Sequence, residues 1–325
     1  MPFLHLNRAD VEALLPMDEC IEAVEGALRS LARGEGLQPL RSVYWMPDRH
    51  GLLAVMPGLL EGIAGVKVLT VIPENHLHGE ESHQGMVMLF EAERGRPLAL
   101  LDATAVTAIR TAAASAVATR ALAREDAGDL AILGSGTQAR SHLEAMRAVR
   151  SLRRVRVWSR RPESAQRFAE REGERLGIAV EPMPSAREAV AGADLICTVT
   201  AATEPVLLGE WIAPGAHVNA AGASTPRARE LDAAAVARAR LFTDRRESLF
   251  HEAGDFLLAR QEGEVTDGHL LGEVGEVLEG KIPGRRSPED VTLFKSLGIA
   301  AEDLAAGALV YRKALAARRG TVLEI

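Results

Sequence analysis

The chain has 325 residues, 47% hydrophobic and 26% charged, with a formal net charge of −7. That apolar content excludes a disordered chain, and the length suits two domains better than one core. The acidic balance argues against nucleic acid and anionic membrane as partners. Cys20 and Cys197 are the only cysteines, which excludes a metal finger or disulfide scaffold and fits a reducing cytoplasm. Between Met1 and Leu15 there is no apolar targeting stretch, and no apolar run approaches the ~20 residues of a membrane span. A cytoplasmic protein is expected.

In chain order, Met17–Arg33 carries apolar residues at helical spacing (Ile21, Val24, Leu28, Leu31) and stops at Gly34. Short strand-like pieces follow at 42–46, 51–56, 65–72 and 85–90, separated by glycine, proline and acidic turns. A short apolar segment, 99–102, leads into a long Ala/Thr-rich helix over 106–124, which completes an α+β unit. From Asp129 strands and helices alternate. Asp129–Leu133 and Arg154–Trp158 read as strands, and 136–149 and Pro162–Leu176 as helices, the latter with proline early and Gly177 just past its end. Ser185 with Glu188 forms a capping-box pattern opening another helix. Apolar strands at 194–199, 216–221 and 241–243 complete a rhythm that demands a parallel sheet. A last amphipathic helix spans 300–319. The expected fold class is α/β: a Rossmann-type doubly wound sheet over 125–299, plus an α+β domain of 1–124.

The strongest local motif is Gly134-Ser135-Gly136-Thr137-Gln138-Ala139, between an apolar strand and a helix. This is the context of a dinucleotide fingerprint. Gly134 makes the turn, Gly136 admits a pyrophosphate, Ala139 allows close packing, and the helix N-terminus attracts the phosphates. A purely structural glycine turn is the alternative. The second strand ends Trp158-Ser159-Arg160-Arg161 with no carboxylate before Glu163. An acidic residue there would accept bonds from a ribose 2′-hydroxyl, whereas Ser159 and Arg160 suit a 2′-phosphate. NADP(H) is therefore favoured over NAD(H), unless Arg160 and Arg161 are only solvated surface.

A reductase also needs a substrate site, and the first domain offers Arg41, Lys67 and Arg110. Lys67 lies within an apolar strand and Arg110 within an otherwise uncharged helix. Buried there, each needs an anion. Singly, each reads as an exposed or internally paired base. Together they suggest a clamp for a substrate carboxylate, whose two oxygens match the arginine fork. His76 and His78, near Glu74, Glu80 and Glu81, match no defined metal spacing; no metal is expected.

Further ordered motifs carry a resemblance. They are Val55-Met56-Pro57, Ser82-His83-Gln84-Gly85, Arg110-Thr111-Ala112-Ala113, Ala191-Gly192-Ala193-Asp194, residues 198–205 and 215–224, Arg229-Glu230-Leu231-Asp232, residues 292–298, and Glu302-Asp303. With Lys67 and the glycine loop, they make the chain resemble the ornithine cyclodeaminase/mu-crystallin family over nearly its whole length. The resemblance implies a homodimer in which 300–325 returns to the first domain as part of a substrate and dimerisation unit. It assigns Arg41, Lys67 and Arg110 to the substrate carboxylate. Cofactor contacts fall on Thr111, the loop 134–139, Ser159, Arg160, Arg161, Thr198, Val199, Thr200 and Leu297.

Where cyclodeaminases of that family carry an aspartate, this chain has Gly222-Ala223-Ser224. Ser224 cannot supply that carboxylate, and the turn resembles the mu-crystallin and ketimine-reductase branch. The implied reaction is reduction of a cyclic ketimine carboxylate, with Ser224 and His83 as candidates for proton delivery or water positioning. For His83 a backbone-bonded loop histidine is the other reading. An amino-acid dehydrogenase of the alanine type, an ornithine cyclodeaminase, and a small-ligand binding protein like mu-crystallin are the competing functions.

Overall fold

The computed structural model describes residues 3–324, without the side chain of His76. The chain opens with β1 (Phe3–Leu6), α1 (Arg8–Leu14), α2 (Met17–Arg33), β2 (Gly36–Leu37), β3 (Ser42–Trp45), β4 (Leu52–Leu60), β5 (Ile63–Val71), β6 (His83–Glu91), β7 (Pro97–Asp102) and α3 (Ala103–Leu122). It continues with β8 (Asp129–Leu133), α4 (Thr137–Val149), β9 (Arg154–Trp158), α5 (Pro162–Leu176), β10 (Glu181–Pro182), α6 (Ala186–Val190), β11 (Leu195–Thr198), β12 (His217–Ala220), α7 (Ala233–Arg238) and β13 (Arg240–Thr243). Then follow α8 (Arg246–Glu252), α9 (Gly254–Gln261), β14 (Leu270–Glu273), α10 (Val274–Leu278), β15 (Thr292–Lys295), α11 (Ala300–Ala317) and β16 (Thr321–Leu323).

Two compact units emerge, one of residues 1–110 with 298–325 and one of 111–297. The sequence reading drew the boundary after α3, at 124/125; the packing changes hands within that helix. Its uniform run of alanine and threonine contains no breaker to mark the place.

In the first unit, β16-β1-β7-β6-β5-β4-β2 form one sheet, with β3 added against β4. The central strands β4 to β7 are antiparallel neighbours. Alternation sends Ala54, Met56, Lys67, Leu69, Val87 and Leu89 to the buried face. The helices α11 and α2 pack against that side. α2 turns Cys20, Ile21, Val24, Leu28 and Leu31 inward and ends where Gly34 takes the left-handed conformation.

The second unit is a parallel sheet in the order β10-β9-β8-β11-β12-β15-β13-β14. Its interior strands are short and almost fully buried, as crossover helices require. The chain runs outward from β8 through β9 to β10, then returns to the other side of β8 with β11. The ends of β8 and β11 thus flank the point where strand order reverses, the usual ligand crevice of such sheets. This is a Rossmann-type α/β fold. Among the described residues no helix is long and apolar enough to cross a membrane.

Candidate active site

Strand register fixes Lys67 between Met56 and Val87, and the side chain is 1% exposed. Its ammonium lies 2.8 Å from each oxygen of Asp303 on α11. The next cation is Arg110, on α3. Its Nε donates to Asp303 Oδ1 and one terminal nitrogen to Glu302 Oε2, both at 2.8 Å. Arg41, just before β3, donates to the Gly298 carbonyl at 2.9 Å. The first unit therefore gathers all three candidate carboxylate ligands, and each also has a protein partner. Both readings of Lys67 and Arg110 meet here: they are internally paired, and they are neighbours.

Burial and the Arg110 charge push the Lys67 ammonium down to about 8, against the pull of Asp303. Burial opposes ionisation of Asp303, but Arg110 and Lys67 outweigh it and keep that carboxyl below its ordinary value. Lys67 and Arg110 thus meet two carboxylates where little water screens them, and half-buried Arg41 is close enough for its charge to act on Lys67.

Glu302 and Asp303 were absent from the sequence-derived site. In the sequence they stand only among the motifs that carry the family resemblance. The signal that could have found them is their company: both are fully buried in an otherwise apolar stretch, where only buried cations can keep them charged.

His83 is not a loop residue. It opens β6, and its ring is solvent-exposed with Nδ1 2.9 Å from Ser82 Oγ. Enough chain crowds around it that desolvation, with the Lys67 charge, lowers its pKa from the ordinary 6.5. The imidazole is neutral at pH 7.

In the second unit the fingerprint residues sit where the motif demands. Gly134 follows β8 at φ +125°, and a Cβ there would come within 2.7 Å of the Val199 carbonyl. Its N–H donates to Trp158 O, and Val199 N–H donates to Leu133 O. The loop is thereby laced to the ends of both β9 and β11. Ser135 and Ser159 join through their hydroxyls at 3.0 Å. Gly136 caps α4 with no side-chain bond, Thr137 and Gln138 form its first turn, and Ala139 is buried beneath it. A Cβ at Gly136 would meet nothing within 4 Å, so backbone N–H groups can be approached closely. This cradle fits a pyrophosphate. Arg160 and Arg161 are exposed beyond β9, which fits a 2′-phosphate contact and solvated surface alike.

Thr111 is nearly buried on α3. Leu297, after β15, donates its N–H to Asp244 at 2.7 Å. Ser224 is half-buried in the loop after β12. Thr198 and Thr200 both donate to the carboxylate of Glu230, at 2.8 and 2.7 Å. Glu230 is a third residue the sequence-derived site lacks. Among the described residues no cluster of three or more potential ligands for a metal occurs.

Comparison with known proteins places this geometry. The model of the ornithine cyclodeaminase/mu-crystallin family matches residues 4–318. The ketimine reductase mu-crystallin of Mus musculus is 41% identical over 297 residues, 90% of each chain. The structure of Thermococcus litoralis Δ1-pyrroline-2-carboxylate reductase, in complex with NADH and L-proline, aligns with a TM-score of 0.96 at 39% identity, over 98% of this chain and 100% of that one. An archaeal alanine dehydrogenase dimer with bound NAD aligns with a TM-score of 0.95 at 34% identity, over 100% of both chains. The chain belongs to the ornithine cyclodeaminase/mu-crystallin family.

Proposed function

We propose that this chain is an NADPH-dependent reductase of cyclic ketimine carboxylates, such as Δ1-pyrroline-2-carboxylate or Δ1-piperideine-2-carboxylate, yielding the L-imino acid. The observation that carries the reading is the gathering of two buried cations, Lys67 and Arg110, with half-buried Arg41 in one unit. A substrate carboxylate suits such a cluster, and the arginine fork matches its two oxygens. Relatives named for ketimine and pyrroline-2-carboxylate reduction support the same chemistry.

When bound, the reduced nicotinamide supplies the hydride. The protein's part is to hold the acid so that its C=N carbon presents one face. Fixing a reactant in near-attack geometry contributes about 7–11 kcal/mol to such steps. An imine takes up hydride once its nitrogen is protonated, and cyclic imines enter from water already partly protonated. A strong acid in the site is therefore not required. Ser224 can donate or accept a hydrogen bond, and neutral His83 can hold a water. With serine at position 224, the chain has no carboxylate there to engage a substrate amine, which disfavours ornithine cyclodeamination.

NADPH oxidation measured against five- and six-membered cyclic imines and pyruvate with ammonium, together with ammonia release from ornithine in the presence of the oxidised cofactor, tests the reading, since cyclodeamination recycles its nicotinamide without net oxidation. The imines are expected to be turned over fastest, with ornithine inert. Faster turnover of pyruvate with ammonium would make the chain an amino-acid dehydrogenase. No NADPH oxidation with the imines or pyruvate and no ammonia release from ornithine would leave ligand binding as its role.

The cofactor preference rests on Ser159 and Arg160. Arg160→Asp removes a charge-assisted bond to the 2′-phosphate, about 1.5–3 kcal/mol, and adds repulsion. The ratio of kcat/KM for NADPH over NADH is expected to fall by about 10–100-fold; an unchanged ratio would mean that Arg160 does not touch the phosphate.

Homodimerisation is supported by the sheet face opposite Lys67. There Tyr44 pairs in register with Leu53, and Val68 with Met86, and all four are exposed on strands β3 to β6. Contiguous apolar surface of this kind marks a contact, and a second copy of the same face is the natural cover. In light scattering the wild type is expected at twice 34.8 kDa and Met86→Glu as a monomer. A monomeric wild type would remove the proposal.

A further inference from the structure

We propose that Glu230 is a positioning residue whose carboxylate binds the chain leaving β11 to the chain leaving β12, holding residues 198–200 and the turn of Ser224 in one register. The inference rests on the functional reading above, in which the first segment meets the cofactor and the second the imine.

Glu230 is fully buried, and its two oxygens are surrounded by donors. Oε1 accepts from the Thr200 N–H at 2.5 Å and the Thr200 hydroxyl at 2.7 Å. Oε2 accepts from the Thr198 hydroxyl and the Gly222 N–H, both at 2.8 Å. One carboxylate thus satisfies donors from both strand exits. Gly222 has no room for a side chain, since a Cβ there would run into that carboxylate. The backbone of Glu230 is anchored in turn. Its N–H donates to Asp255 at 2.7 Å, and its carbonyl accepts from Val206 and Leu207. Asp255 pairs with Lys295 of β15 at 2.9 Å. Burial pushes the Glu230 carboxyl up, Lys295 pulls it down and Asp255 works against it. Lys295 is thus the countercharge for two buried acids.

Glutamine has the same shape but fails here. Whichever way its amide turns, the NH2 faces a backbone N–H, of Thr200 or of Gly222. One exit is released. The carboxylate clamp of Lys67, Arg110 and Arg41 belongs to the other compact unit and is untouched.

In Glu230→Gln the KM for NADPH is expected to rise about tenfold if the Thr200 exit is released, and turnover of the imine to fall by a similar factor if the Gly222 exit, which carries the Ser224 turn, is released. Amide exchange is expected to lose protection at Thr200 or Gly222 while the interior strands keep theirs. Gly222→Ala disturbs the same contact, so the double variant should bind NADPH no worse than the weaker single one. An unchanged kcat with both KM values unchanged would overturn the proposal, as would additive losses in the double variant. If wild type oxidises no NADPH, the functional reading fails separately. The exchange measurement then decides: protection lost at either amide upholds the clamp, and protection retained at both overturns it.

Discussion

Lys67→Ala is expected to abolish turnover, lowering kcat/KM for the imine by about a thousandfold or more, while NADPH still binds. Removing the ammonium deletes a charged hydrogen bond, about 1.5–3 kcal/mol, together with part of the orientation that the carboxylate provides. The change also strands Asp303 beside Arg110 alone. Breaking a buried ion pair from one side costs about 3–5 kcal/mol of stability. Lys67→Met, which fills the volume of the stem, therefore serves as the companion variant, and NADPH fluorescence titration confirms a folded cofactor domain in each. Near-normal kcat/KM in either would dissolve the clamp.

The same lysine sets a pH limb. Its ammonium is pushed down to about 8, so in the substrate-free protein the charge is lost as pH rises through that value. The imine KM is expected to climb above it and to stay flat in Lys67→Arg. Stability has the opposite sign. Between about 8 and the ordinary lysine value of 10.5, the unfolded chain holds more protons at this site. The contribution of Lys67 to folding stability therefore rises with pH across that window and is lost as pH falls through it.

Gly134→Ala is expected to weaken NADPH binding by about a hundredfold. At φ +125° an L side chain is strained, and the new Cβ meets the Val199 carbonyl, which belongs to backbone and cannot swing aside. Strain of this kind costs about 1–3 kcal/mol, and relieving it pulls Gly134 from its bond to Trp158 and disturbs the Val199 N–H bond to Leu133. Direct titration with NADPH reads the effect. A dissociation constant within about twofold of wild type, a difference of only ~0.4 kcal/mol, would show that this loop does not cradle the phosphates.

How much of this was legible in the sequence follows the range of the forces involved. The bounds of α2, β8, β9 and α5 agree with the sequence reading because periodicity and caps are local. Gly34 and Gly177 both take the left-handed conformation that ends a helix. β15 escaped notice because Thr292 and Lys295 make it read as polar, although all four residues are buried. Lys295 is tolerated there by Asp255, far off in the chain. The catalytic candidates divide the same way. Lys67 and Arg110 stood out as charges in apolar surroundings, but their partners lie some 190 residues or more along the chain. No spacing rule joins such residues; only the packing of α11 against β5 does.

A crystal structure with cofactor and L-proline, the expected imino-acid product in the five-membered series, tests the central claim most directly. The account predicts the proline carboxylate within hydrogen-bonding distance of Lys67 Nζ and of the Arg110 or Arg41 guanidinium. A carboxylate held elsewhere, with those three cations turned only toward Asp303, Glu302 and Gly298, would contradict it.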